Sequence, residues 1–382
     1  MPFPLSEEQR MIQAMARDFA REVLAPTAAK RDETKEFPAE NLKKMAELGF
    51  LGMMVPERYG GVGLETVSYV VALEEIAYAC AATAVVMSVH NSAVCEPILR
   101  FGTEEQKRTV LPRLAKGEVL GCFALTEPEA GSDPASQKSL AVKDKDVWVI
   151  NGTKRFITTA AHAGFCLLTA VTDKTKRHRG ITAFLVDTSS PGFVVAKLED
   201  KMGLRASDLA EVVLEDLRVP EGMVLGGEGM GFKVAMAALD SGRIGIAAQS
   251  VGVAQAALDM TVAYMQSRRQ FGRPIAHFQG LRFKMADLAC ELEAARLLTF
   301  AAAGQKDRGE RYTLAASMAK LYASEMVNQM VYQCLQMHGG YGYTKEYPIE
   351  RLYRDARVFT IYEGTSEIQR LIIANHLLGK VG

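Results

Sequence analysis

The chain changes hydrophobic period twice, and those changes limit the folds open to it. Apolar residues recur at helical spacing from Ser6 to about Val119. From Gly121 to about Val224 the period shortens and β-branched residues cluster. After the joint Gly226-Gly227-Glu228-Gly229-Met230-Gly231, helical spacing returns and runs to the end. The pattern predicts an α+β fold in three parts: helices over residues 1–120, a β domain over 121–226 and a helical bundle over 227–382. A length of 382 residues suits two or three domains, and 48% apolar residues supply enough material for their cores.

Local signals fill in the parts. Ser6 with Gln9, and Thr103 with Gln106, read as capping boxes that open helices. Pro26 reads as the end of the first helix, and Gly49 as the stop of a second over residues 40–48. Residues 147–150, then Asn151-Gly152, then 153–158 carry the strongest hairpin signal in the chain. Further strands are expected at 167–171, 181–186, 193–196 and 212–214. Long helices are expected at 232–268, 281–305 and 313–338, with a last one from Glu367, which is enough for a four-helix bundle.

Composition narrows function. Lys plus Arg and Asp plus Glu both number 45, so nothing argues for nucleic acid as a partner. The charge-free run over residues 76–95 is long enough to span a bilayer. It holds Ser88, His90, Asn91 and Ser92, and reads as a buried helix plus loop rather than a membrane span. Glu7, Glu8 and Arg10 exclude the apolar core of a signal peptide near the start. Six cysteines without a C-x-x-C pair read as reduced, buried thiols of a cytoplasmic protein. Rossmann, P-loop, zinc-protease and nucleophile-elbow motifs are missing.

Three stretches carry chemistry. In Ile361-Tyr362-Glu363-Gly364-Thr365-Ser366-Glu367-Ile368-Gln369, Ser366 and Gln369 form a box that starts a helix near Glu367. Ile368, Leu371, Ile372 and Leu378 give that helix a face expected to be buried. Glu363 lies just before it among apolar neighbours, where a carboxyl is pushed toward neutrality and becomes a usable base. A surface carboxylate favoured by the helix dipole is the plainer alternative. The stretch Phe123-Ala124-Leu125-Thr126-Glu127-Pro128-Glu129-Ala130-Gly131-Ser132-Asp133 concentrates donors that could cradle a ring edge or phosphate, or it is an ordinary turn. Residues 336–346 end a helix in Gly339, Gly340 and Gly342, which either admit a ligand or merely stop the helix.

Together the three stretches resemble the acyl-CoA dehydrogenase family. Ala124-Leu125-Thr126-Glu127 with Ala130-Gly131-Ser132-Asp133 and Ser136 looks like one signature. Gln336, Gly339-Gly340, Gly342-Tyr343, Glu346, Arg351 and Asp355 look like a second, and Tyr362 to Ser366 looks like the loop of the catalytic base. The resemblance covers essentially the whole chain. It implies helices, a middle antiparallel β-barrel and a C-terminal four-helix bundle, and an enzyme that desaturates acyl-CoA thioesters. FAD is the implied cofactor and electron-transfer flavoprotein the implied acceptor, in a homotetramer.

By resemblance Glu363 removes the α proton, and its backbone N–H with the FAD ribityl hydroxyl receives the enolate oxygen. Phe123, Leu125, Thr126, Gly131, Ser132, Phe156, Ile157 and Thr158 fall where relatives hold the flavin; most relatives carry Trp in place of Phe156. Arg268, Gln279 and the run Gln336, Met337, His338, Gly339, Gly340 match positions that reach a neighbouring subunit's FAD. Thr365 and Glu367 match positions beside the FAD pyrophosphate. Asp240, Arg243, Ser132 and Gly364 match substrate-binding positions. One branch of the family places its base just before the residue matching Arg243, where this chain has Gly242, so Glu363 is the expected base. Relatives that accept dicarboxylyl chains carry an Arg in the stretch matching residues 80–95, where this chain has no Lys or Arg, so the resemblance implies a short, branched or cyclic monocarboxylic acyl group. An enoyl-CoA reductase running in reverse and a non-catalytic acyl-CoA- or flavin-binding bundle remain as alternatives.

Overall fold

The computed structural model describes residues 5–379. The first helical layer comprises α1 (Glu7–Phe19), α2 (Ala25–Thr34), α3 (Ala39–Glu47), α4 (Thr66–Ala79), α5 (Ala81–Ser88), α6 (Glu96–Phe101) and α7 (Glu104–Ala115). Both expected capping boxes form, at Ser6 and Thr103. Pro26 does not end the first helix. The chain passes from α1 through a π turn (Ala20–Leu24) into α2, where Pro26 occupies the first turn, a position with no N–H to lose. Residues 76–95 are helical almost throughout: α4, α5 and a π turn (Val89–Cys95) follow one another, nearly all buried. Among the described residues no helix is long and apolar enough to cross a membrane.

The middle part has strands β1 (Leu120–Ala124), β2 (Leu140–Asp144), β3 (Val147–Thr158), β4 (Ala163–Val171), β5 (Ile181–Asp187), β6 (Phe193–Leu198), β7 (Leu209–Pro220) and β8 (Val224–Leu225). They form one sheet in the order β6-β7-β3-β2-β4-β5-β8, with β1 added against β4. The sheet is mixed rather than wholly antiparallel, because β1 and β2 both pair with β4 in parallel. The expected hairpin at Asn151-Gly152 does not exist. Residues 147–158 are one strand, and the turn comes earlier, between β2 and β3. Asn151-Gly152 is a bulge: the register against β7 slips there, and Asn151 Nδ2 donates to Asp216 at 2.9 Å. The same residue types serve turns and bulges, because both need backbone that bends away from the pleat.

The last part holds α8 (Gly231–Ser267), a two-residue hairpin of β9 (Arg269–Gln270) and β10 (Arg273–Pro274), then α9 (Gln279–Asp307), α10 (Thr313–His338), α11 (Ile349–Ala356) and α12 (Ser366–Leu378). Helix α8 is apolar nearly all round over residues 241–257 and is the axis of the main core, packed by α4, α9 and α10. Asp355 joins two parts: it is buried and accepts the Leu204 N–H at 2.6 Å. Arg354 beside it forks onto Asp32 of α2 at 3.0 and 2.6 Å. Asp355 of the second signature and its neighbour Arg354 therefore fasten the parts together.

Two further expectations fail. The face of α12 is not buried within the chain, since Leu371 is 53% and Leu378 87% exposed. Five cysteines are buried free thiols, but Cys290 is exposed on α9.

Candidate active site

Helix α12 begins one residue earlier than its sequence suggests. Thr365, not Ser366, is the cap and accepts the Ile368 N–H at 3.4 Å. Gln369 is thereby freed from a capping box. Fully buried, it turns back and donates to the carbonyls of Glu363 (3.3 Å) and Gly364 (2.9 Å). The Lys320 ammonium of α10 donates to the same Gly364 carbonyl at 2.9 Å. Glu363 is thus held with φ +51°, a left-handed conformation that costs a non-glycine residue about 1–3 kcal/mol. Gly364 follows at φ +93°.

This strain aims the Glu363 side chain at α8. Its carboxyl lies over Gly242, and its Oε2 is buried with no hydrogen-bond partner among the described residues. The residue keeps some exposed surface, but Oε2 does not. Burial pushes its pKa up to about 7, against the pull of Arg243 and Lys320 toward the ionised form. The resulting group is poised to accept a proton near neutral pH. Tyr362 is stacked on Phe359 and donates its hydroxyl to Gln249 Oε1 at 2.8 Å, tying the loop to α8 from the other side.

Asp240, Arg243 and Gly364 join Glu363 in one place. Arg243 Nη1 donates to Asp240 Oδ1 at 2.6 Å, and Thr313 Oγ1 to Asp240 Oδ2 at 2.7 Å. Arg243 is 4% exposed, and its Nε has no partner among the described residues. Ser241, between them, donates to Glu96, which Lys306 also contacts.

A second group assembles on the sheet. The Arg155 N–H donates to the Thr126 carbonyl at 2.8 Å, which brings the loop after β1 against β3. Lys154 is fully buried beneath it and donates to the Leu125 carbonyl (3.1 Å), Glu127 (2.7 Å) and Gln137 (3.2 Å). Burial opposes the Glu127 charge, but Lys154 and the Lys138 N–H outweigh it and hold that carboxyl below its usual range. The register slips again between Lys154 and Ile157, and there Phe156 takes φ +59°. The bulge turns Phe156 outward, 53% exposed with the Arg155 guanidinium 5.2 Å from its ring, while Ile157 points into the core. Phe123 and Thr158 are half-buried, Leu125 is buried, and Gly131 and Ser132 lie on the exposed turn.

A third group is separate. Arg268 and residues 336–340 line a cavity of about 530 Å³ whose walls do not include Glu363. Tyr264 stacks on His338 at 4.3 Å, and Arg268 sits 5.3 Å from the Tyr341 ring. His338 Nε2 has no partner among the described residues, and burial lowers its pKa, which favours the neutral ring. Gln279 is exposed at the start of α9, and Glu367 is exposed in the first turn of α12. Lys320, Gln369, Gln249 and Lys154 are absent from the sequence-based site. Nothing local marks a buried polar residue inside a helix or strand whose partner is remote.

Family models describe the chain from end to end. Residues 6–118 match the acyl-CoA dehydrogenase N-terminal domain, 122–217 the middle domain and 229–378 the C-terminal domain. The chain belongs to the acyl-CoA dehydrogenase family. It is 50% identical to the mitochondrial short-chain specific acyl-CoA dehydrogenase of Bos taurus, over 98% of this chain and 91% of that protein. The butyryl-CoA dehydrogenase structure from Megasphaera elsdenii superposes with a TM-score of 0.97 at 42% identity, over 99% of this chain and 100% of that one. A chain from the structure described as "Electron transferring flavoprotein of Acidaminococcus fermentans: Towards a mechanism of flavin-based electron bifurcation" superposes with a TM-score of 0.98 at 45% identity, each covered in full.

This acyl-CoA dehydrogenase is an FAD-dependent oxidoreductase that desaturates an acyl-CoA thioester between its α and β carbons. The observed residues fit the cofactor. An exposed aromatic on a bulge and a braced donor-rich loop suit a flat ring system. The glycines 339 and 340 leave open space where a Cβ would stand, beside the orphan His338 Nε2 in a cavity.

Proposed function

We propose that Glu363 is the base that removes the α proton of a short-chain acyl-CoA. The observation that carries this is its unpartnered, buried carboxyl oxygen, held near a neutral pKa beside Gly242 and Arg243. An α C–H next to a thioester is a weak acid, so a base with a pKa near 7 in a dry setting suits it. Bound FAD supplies the acceptor for the β hydrogen, which leaves with its electron pair. The chain itself binds, orients and takes the proton. The Asp240–Arg243 pair would hold the CoA arm, with Gly364 giving it close backbone approach and Ser132 a hydroxyl.

Phe123, Leu125, Thr126, Gly131, Ser132, Phe156, Ile157 and Thr158 would hold the flavin ring. Arg268 and residues 336–340 line a cavity whose walls do not include Glu363, which supports a role for them, with Gln279, on the FAD of a second copy. Thr365 and Glu367, at the N-terminus of α12, would serve the pyrophosphate. The exposed apolar face of α12 supports a homotetramer, and the likeness to the Acidaminococcus chain supports electron-transfer flavoprotein as acceptor. Buried unpaired thiols suit a cytoplasmic setting. A short, unbranched acyl group is favoured by the likeness to short-chain and butyryl-CoA dehydrogenases.

The test is anaerobic titration of Glu363→Gln. The variant should stay yellow and bind acyl-CoA, while flavin bleaching slows by several orders of magnitude. Bleaching at the parent rate would refute the assignment. Fastest turnover on glutaryl-CoA among a panel of thioesters would refute the short monocarboxylic substrate.

A further inference from the structure

Lys320 is a buried cation in a core that gives it little else to do. It is 0% exposed on α10, and the one hydrogen bond its ammonium donates among the described residues goes to the Gly364 carbonyl. Burying an ammonium is costly, and a single neutral carbonyl offsets only part of that cost. The remainder must come from negative charge nearby. The charged groups acting on Lys320 are Glu363 on the loop, Glu325 on its own helix, Glu367 on α12 and, with opposite effect, Arg243 on α8. Glu363 acts most strongly among them, and Lys320 in turn favours the ionised form of Glu363.

The geometry adds a second role to the charge. Lys320 and Gln369 reach the base loop from two helices and converge on one carbonyl, that of Gly364. That carbonyl belongs to the residue directly after the strained Glu363. Removing either anchor lets the loop relax from its left-handed turn and swing the carboxyl off Gly242.

We propose that Lys320 is a positioning residue for the base: it clamps the Gly364 carbonyl from α10 and holds its positive charge near the Glu363 carboxylate without a direct hydrogen bond to it, and without touching substrate. The inference rests on the reading of Glu363 as base. A nearby positive charge stabilises the carboxylate, so the ammonium, together with Arg243, holds the Glu363 pKa below the value that burial alone would impose. Loss of the charge therefore moves the ionisation of Glu363 to higher pH.

The test uses the FAD-loaded enzyme and Lys320→Met, Lys320→Gln and Lys320→Arg. Two quantities are read against pH: the rate of anaerobic flavin reduction, and, without substrate, the infrared band of a protonated carboxyl that vanishes in Glu363→Gln. Lys320→Met should shift both midpoints up by about one pH unit or more, the size of a lost neighbouring charge. Below the midpoint its rate should then fall at least tenfold. Lys320→Gln keeps a donor to Gly364 without the charge and should show the same shift, which is the reading to use if Lys320→Met does not fold. Lys320→Arg should return both midpoints to the parent values. A purely structural lysine would lower melting temperature and leave the midpoints in place; unmoved midpoints in a folded Lys320→Met or Lys320→Gln overturn the proposal. If Glu363→Gln itself reduces flavin at the parent rate, the base assignment fails; if it is inactive while the midpoints stay put, only the role of Lys320 fails.

Discussion

A Cβ added to Gly242 would stand 1.8 Å from Oε2 of Glu363. The base of one family branch sits at the residue matching Gly242, and that of the majority on the loop. In this fold the two positions, 121 residues apart by the numbering (363 − 242), meet at one point. A side chain at position 242 and the Glu363 carboxyl therefore compete for the same space.

Gly242→Ala should displace the Glu363 carboxyl rather than the helix, since the clash is with the free end of a side chain. A misplacement near 1 Å can cost on the order of 10²-fold in rate. Stopped-flow flavin reduction should slow by about that factor, while FAD content and melting temperature stay near the parent's. An unchanged rate would place the working carboxyl elsewhere.

The pH profile follows from the raised pKa of Glu363. The reaction needs the carboxylate, so kcat/KM should climb with pH through a midpoint near 7 and then level off. Glu363→Asp should lower the plateau, and Glu363→Gln should abolish the titration. A midpoint near 4.5 would mean that the carboxyl is solvated in the free enzyme.

The same group makes the fold less stable as pH rises. Its pKa is about 7 when folded against an ordinary 4.5, so between those values the folded state binds more protons than the unfolded one. The stabilising contribution is whole below about 4.5 and is lost by about 7. At 1.36 kcal/mol per unit the loss is roughly 3 kcal/mol. Glu363→Gln should therefore melt higher than the parent at pH 8 and alike at pH 4.5. Calorimetry at the two pH values decides it.

Lys154→Met should strip the brace from the loop after β1. It leaves the Glu127 carboxylate buried and unpaired, a change that costs about 3–5 kcal/mol. We expect lower thermal stability and weaker FAD retention on gel filtration. Lys154→Met with Glu127→Gln together should recover part of both. Equal FAD loss in the single and double variants would count against the brace.

Much of this protein was readable in advance because its signals are local. The two changes of period marked the change from helix to sheet and back, and Ser6 and Thr103 capped helices where expected. The errors also have local causes. Asn151-Gly152 was read as a turn because bulges use the same residues. The Ser366–Gln369 box does not form because Thr365, an equally good cap, starts the helix one residue earlier.

Glu363 was identified through the apolar neighbours beside it and the resemblance of its loop. The roles of Lys320, Gln369 and Gln249 are not legible, and Gln369 reads instead as a capping residue, because nothing in a helical stretch says that its polar residue is buried, or against what. The sequence alone determined the order of helices and strands, the glycines where the backbone must turn, and the one loop carboxylate among apolar neighbours. Only the tertiary structure decided that this carboxylate rests on Gly242, that Lys320 and Gln369 clamp its loop, and that its pKa is near 7. Those properties depend on desolvation and on charges brought together across the chain, and neither exists until the helices pack.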